Sequence, residues 1–185
     1  LNKKDINPLD IIAKYYPADS EVYTILVTHS RSVADKALAI ARMHPEMNLD
    51  LTFIEEAAML HDIGIFLCDA PEIDCHGSAK YICHGYLGAE LMRKEGYPRH
   101  ARVCERHTGT GITLAMIEER NLPLPHRDFM PETMEEQLIC FADKFYSKTK
   151  LTKEKSIDKV KQGLFKYGND TVERFDNWCK LFLGE

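Results

Sequence analysis

A chain of 185 residues is the size of one ordinary domain and can enclose a full core. Its apolar share of 44% excludes disorder as the default state. A formal charge of −5 excludes general nucleic-acid binding, because no surplus of Lys and Arg is at hand to neutralise phosphates, and leaves only local basic patches open.

Asn7-Pro8 opens a short helix, with a cap and a proline at its first position, and Tyr15-Tyr16-Pro17 closes it. From Ser20 to Met43 the apolar residues recur mostly at three, four and seven (Val22, Leu26, Val33, Ala37, Ile40, Ala41), which predicts one helix, or two with a bend near Thr28. Asp50 caps a helix that carries Ile54, Ala57, Ala58 and Leu60 and ends at Gly64. Residues 66–79 read as irregular. Helix resumes near Lys80 and runs to Gly96. Pro98 starts another, which holds Ala101, Val103 and Cys104 and is broken by Gly109 and Gly111. A short helix fits 113–121, followed by a loop with three prolines. Thr133 and Glu136 make a capping box for a helix through Lys148. Two more helices fit 153–167 and 171–183, divided by Gly168-Asn169-Asp170. There is no strand run and no repeat, and the stretch 122–132 is too short to separate folded domains. The expected fold is an all-α, single-domain helical bundle over 1–185.

No run of 18 apolar residues and no secretory leader can be read, so the chain is expected to be soluble and cytoplasmic, with no membrane partner. It opens on Leu1, and a residue or tag is expected to be missing from its front. Six cysteines, at 68, 75, 83, 104, 140 and 179, include no C-x-x-C pair, and are expected as reduced thiols.

The chemistry lies in His61-Asp62, with His29 upstream and His84, His107 and Asp143 downstream. Neighbouring His and Asp point the same way only where the chain turns locally, and Gly64 offers a turn. Polar groups in such apolar surroundings need partners. Imidazole nitrogen and carboxylate oxygen suit a hard or borderline divalent ion, whether Fe, Mn, Co, Ni, Zn or Mg. His29, His61, Asp62 and Asp143 could hold one ion. Asp62 could reach a second with its other oxygen, completed by His84 and His107. Such a centre acidifies bound water and polarises phosphoryl oxygens, so hydroxide attack on a phosphate ester is the expected reaction. Arg106, Lys144 and Lys148, and Arg31 near His29, are candidates to hold phosphate charge. His44, His100 and His126 read as structural or surface residues. His76 could be either a site residue or a solvent-facing one.

The order H…HD…H…H…D, centred on Ala57-Ala58-Met59-Leu60-His61-Asp62-Ile63-Gly64, resembles the HD-domain metal-dependent phosphohydrolase superfamily. Leu26-Val27-Thr28-His29-Ser30-Arg31-Ser32-Val33-Ala34 and Ala142-Asp143-Lys144 extend the match over about 20–150, leaving 151–185 as C-terminal helices. His84-Gly85-Tyr86-Leu87-Gly88-Ala89-Glu90-Leu91 and Glu105-Arg106-His107-Thr108-Gly109 resemble the small HDIG-type branch with extra histidines, which is similar to bacterial diadenosine tetraphosphate hydrolases. The resemblance implies an all-α bundle with the metals between helices. It implies ligation by His29, His61, Asp62 and Asp143, with Asp62 bridging to a second ion on His84 and His107; iron or manganese is favoured if the centre is dinuclear. It implies a small phosphorylated substrate, sought first among nucleotides and dinucleotides. Relatives that cleave cyclic dinucleotides carry Lys soon after HD and paired histidines before Gly-Tyr-Pro. Here Gly64-Ile65-Phe66-Leu67 has no Lys, and Gly96-Tyr97-Pro98 reads as a helix start. Two alternatives share the scaffold: a di-iron oxygenase and a non-catalytic metal-binding signalling module.

Overall fold

The computed structural model describes residues 6–185, and helices make nearly all of its regular structure. Helix α1 (Pro8–Ala13) starts where the Asn7 side chain accepts from the Leu9 amide, with Pro8 in the first turn where no amide is needed. Helix α2 (Glu21–Met43) is capped by Ser20 and runs unbroken through Thr28. Val22, Ile25, Leu26, His29, Val33, Ala37 and Ile40 form its buried face, so His29 points into the core. Asp50 caps α3 (Leu51–Leu60) by accepting from the Phe53 amide. Further along the chain come α4 (His84–Lys94), α5 (Pro98–Glu105), α6 (Leu114–Arg120), α7 (Met134–Asp143), α8 (Ile157–Leu164) and α9 (Asn169–Trp178).

Several elements differ from the sequence reading, α8 starting at Ile157 and not at 153, and α9 at Asn169 and not at 171. Helix α3 stops at Leu60, not at Gly64. The chain there tightens to three-residue bonds, Ile63 N to Leu60 O and Ile65 N to Asp62 O. Helix α7 stops at Asp143, not at Lys148, by the same change of bonding, since Phe145 N reaches Ala142 O and Tyr146 N reaches Asp143 O. The stretch read as wholly irregular contains a two-residue antiparallel ladder, Asp69–Ala70 against Cys75–His76, too short for any period to show in sequence. The Thr133 cap forms, but the Glu136 carboxylate accepts from the Glu132 amide and the Thr133 hydroxyl, so the reciprocal bond of a capping box is not made.

Helix α2 packs against α3 and α7, α5 lies across α3 and α7, and α4 lies along α5. On one side Phe141 gathers Phe145, Phe175, Trp178 and Phe182, so α8 and α9 close the core over α7. On the other side Ile12, Tyr16, Leu26, Leu60, Ile63, Ile65 and Met92 pack together. There the buried Tyr16 hydroxyl donates to Ile63 O at 2.6 Å and accepts from Phe66 N at 3.3 Å. Tyr16 therefore pins both ends of the turn that follows α3. All six cysteines are free and buried.

Gly64 sits in that turn with φ of −85°, a value open to any residue. Its need for glycine is spatial. A Cβ there would lie 2.3 Å from His84 O and 2.5 Å from Gly88 N, so bare backbone lets α4 lie directly on the turn.

Candidate metal centre

Five segments converge on one buried point. Helix α2 brings His29, the turn after α3 brings His61 and Asp62, α4 begins with His84, His107 follows α5, and α7 ends on Asp143. Asp62 and His61 are wholly buried, and His29, His84 and His107 nearly so.

The six side chains form two sets that share Asp62. Asp62 Oδ2 lies 3.2 Å from His29 Nε2 and 3.0 Å from His61 Nε2. Asp143 Oδ1 faces the same two nitrogens at 3.0 and 3.2 Å. Asp62 Oδ1 lies 3.2 Å from His84 Nε2 and 3.1 Å from His107 Nε2.

Hydrogen bonding decides what these nitrogens offer. His61, His84 and His107 each turn Nδ1 to a carbonyl three residues earlier, on Ala58, Tyr81 and Cys104, at 2.5, 2.6 and 2.7 Å. A carbonyl only accepts, so Nδ1 carries a proton in each, and Nε2 is the lone pair that the neutral ring offers; at His61 an ion would take the place of the proton that the two carboxylates hold on Nε2. His84 Nε2 and His107 Nε2 nevertheless stand 2.9 Å apart. Two lone pairs at that distance repel unless a cation lies between them. Both oxygens of Asp62 are buried and take no hydrogen bond of good geometry, Oδ2 being paired by charge with Lys148. Lone pairs that converge in a dry site, each held by a second partner, are the donor set a divalent ion needs, and the residues fit one. His29 is held less firmly, since its buried Nδ1 has no partner among the described residues.

The protein's own answer to the two carboxylates is a set of cations. Burial pushes Asp62 and Asp143 up, but His61 and Lys148 beside the one, and Lys144 beside the other, outweigh it and hold both well below the usual carboxylate range. Burial opposes a charge on His61, yet Asp62 and Asp143 raise it to about 10. Burial, with the other imidazoles, lowers His107 to about 4 against the pull of Asp62. Lys148 Nζ reaches Asp62 Oδ2 at 2.8 Å. Lys144 Nζ reaches Asp143 Oδ2 and donates to His107 O, both at 2.8 Å, so it ties a residue of each set to the other.

Arg106 is not brought into this cluster. Its Nη1 pairs with Glu136 at 3.0 Å and Glu132 at 3.1 Å, because the last turn of α5 carries it away from the neighbouring His107. Arg31 turns outward to Asp35 and Glu55. His76 is exposed and pairs with Asp74. His44 bonds Glu46 and Phe182 O, His100 packs edge-on against Phe53 beside Glu56, and His126 is exposed. Tyr81 was not foreseen. Its ring stacks on His84 with centroids 4.4 Å apart, in addition to its carbonyl bond. A cleft of about 230 Å³ opens beside His29 and Asp143, with Lys144 and Lys148 on its wall.

A family model described as HD domain matches residues 26–147. Two curated relatives are called tRNA (cytidine(56)-2'-O)-methyltransferase. That of Thermoplasma volcanium is 32% identical, covering 96% of this chain and 47% of its own length. That of Picrophilus torridus is 30% identical, covering 87% of this chain and 44% of its own length. The chain thus spans under half the length of these two. An uncharacterized protein of Methanocaldococcus jannaschii is 34% identical over 68% of this chain and 68% of its own length. Among solved structures, the HD domain of the L. monocytogenes phosphodiesterase PgpH superposes with a TM-score of 0.52, covering 92% of this chain and 93% of that one at 15% identity. At that identity the likeness shows the fold.

Proposed function

The chain belongs to the HD-domain family, and we propose that it is a metal-dependent phosphohydrolase acting on a phosphate ester, with 1–185 as one HD domain. The observation that carries this reading is the shared carboxylate of Asp62, which faces two histidine sets whose Nε2 lone pairs are fixed by backbone bonds on the far side of three rings. His29, His61, Asp62 and Asp143 would hold one divalent ion, and Asp62, His84 and His107 a second. Ions bound there supply an acidified water and offset charge on the phosphoryl oxygens.

The remaining chemistry belongs to the chain. Lys144 and Lys148 flank the carboxylates at the cleft wall, where an ammonium neutralises phosphate as a point charge. The turn after α3 is buried with His61, Asp62 and Ile63, which keeps bulk water from these residues. A nucleotide or dinucleotide remains the proposed substrate class. A second reading has one observation in its favour, the methyltransferase relatives named for tRNA, and places the ester in RNA.

The test is metal analysis of protein purified without chelator. A screen of nucleotides, dinucleotides, simple phosphomonoesters and tRNA follows, with that metal restored. Release of a phosphate-containing product from one of these classes is expected. Full metal occupancy with no product from any of them, and oxygen consumed with a small organic substrate, would replace this reading with the oxygenase one.

A further inference from the structure

The cleft beside His29 and Asp143 carries five lysines, in a chain whose net charge is −5. Lys144 is engaged by Asp143 and Lys148 by Asp62. The other three, Lys155, Lys159 and Lys166, have no ion pair among the described residues, and Asp143 is the one acidic residue on the described lining. Lys159, Gly163 and Lys166 follow one another at four and three residues, so they share a face of α8 and its last turn. Val160 and Leu164 are buried beneath that face. A Cβ at Gly163 would meet nothing within 4 Å, so the floor between the two lysines is open. Burial, and the charges of Lys144, Lys159 and Lys148 against the pull of Asp143, lower the Lys155 ammonium from its usual value. Lysines gathered in a cleft with one carboxylate leave it with a surplus of positive charge, which favours an anion.

We propose that Lys155, Lys159 and Lys166 form a subsite for the uncleaved phosphates of the substrate, which therefore carries a chain of phosphates running from the His/Asp cluster across Gly163. This rests on the phosphohydrolase reading. Three unopposed lysines match about three negative charges beyond the group held at Asp62 and Asp143. The space, about 230 Å³, is below the range of pockets that enclose a drug-sized molecule, so it has room for a short run of phosphates. A phosphodiester strand places one charge per nucleotide, fewer than a run of directly linked phosphates places over the same distance. All three residues lie beyond 26–147, the stretch that the HD-domain model matches.

The test is calorimetric binding of inorganic phosphate, pyrophosphate and tripolyphosphate to the metal-loaded protein at low and high salt. Affinity should rise along the series and fall with salt. Lys159→Ala and Lys166→Ala should each weaken tripolyphosphate about tenfold, the lower end for a charge-assisted contact at an exposed site. Lys159→Arg should restore most of it, and metal content should stay unchanged. Gly163→Leu, which fills the floor without altering charge, should weaken tripolyphosphate and spare phosphate. No rise along the series, or a Lys159→Ala/Lys166→Ala double variant that binds tripolyphosphate as before, overturns the subsite while hydrolysis of simple phosphomonoesters can still stand. An RNA oligonucleotide bound more tightly than tripolyphosphate through the same lysines overturns it in favour of a nucleic-acid groove. Lysine-dependent binding with no ester hydrolysed at full metal occupancy brings down the phosphohydrolase reading and the substrate assignment with it.

Discussion

Gly64→Ala is the sharpest test of how the centre is assembled. The added methyl would lie 2.3 Å from His84 O and 2.5 Å from Gly88 N, and both are backbone atoms that cannot swing aside. Relief needs α4 to move off the turn by on the order of 1 Å, since the packed interior leaves no slack. Overpacking of this kind costs about 1–3 kcal/mol. For a chain of this length that is a fall in Tm of roughly 2–12 °C. The displacement acts on the metal sets unequally. His84 is the first residue of α4 and stands 3.2 Å from Asp62 Oδ1, whereas His29, His61 and Asp143 ride on other elements. Gly64→Ala should therefore lose the ion at His84 and His107 and keep the ion at His29, His61 and Asp143. Elemental analysis gives the stoichiometry, and scanning calorimetry of chelated protein gives the packing cost separately. Gly88→Ala is the graded control, because its methyl would meet Gly64 N at 3.1 Å, a distance a small shift relieves. A Gly64→Ala protein with unchanged Tm and both ions would refute the claim that contact between α4 and the turn sets the position of His84.

Asp62→Ala should remove most of the bound metal, because each set loses its own oxygen of the shared carboxylate, and unchanged metal content would show that Asp62 is not a ligand. His84→Ala and His107→Ala should each remove one ion and leave the helical circular dichroism intact; metal content equal to wild type would make both residues structural. In chelated protein, His61 raised to about 10 stabilises the fold fully below its unfolded value near 6.5, and that stability is lost as pH rises through 10. His107 lowered to about 4 acts in the other direction, costing stability as pH falls from about 6.5 towards 4. Urea melts across that range should show a decline at each end, with the alkaline one absent in His61→Ala.

Caps and buried stripes were legible because they are local: Asn7, Ser20, Asp50 and Thr133 each bond an amide two or three residues on. All six candidate ligands could be named from sequence because each lies in or beside an apolar stretch, and the structure brings their side chains together. Arg106 misled because adjacency to His107 says nothing of direction once α5 ends. The ends of α3 and α7 were overrun because a change from four-residue to three-residue bonding has no signature in side-chain period. Lys155, Lys159 and Lys166 were invisible as a group, since only the packing of α8 and its last turn near the end of α7 sets them beside Asp143.

The rings of His61, His84 and His107 are oriented by main-chain oxygens within their own segments, and this bears on how the chain can diverge. A centre whose imidazoles lean on partner carboxylates must preserve those partners as well as the ligands. Here the acceptor at 58 and at 104 exists whatever side chain stands there, so drift at those positions is limited by room in the core and not by proton placement. Only at 81 does the side chain itself matter, through the stacked tyrosine ring. Descendants of such a chain could therefore retain three oriented rings while few residues outside the candidate ligands still mark the site.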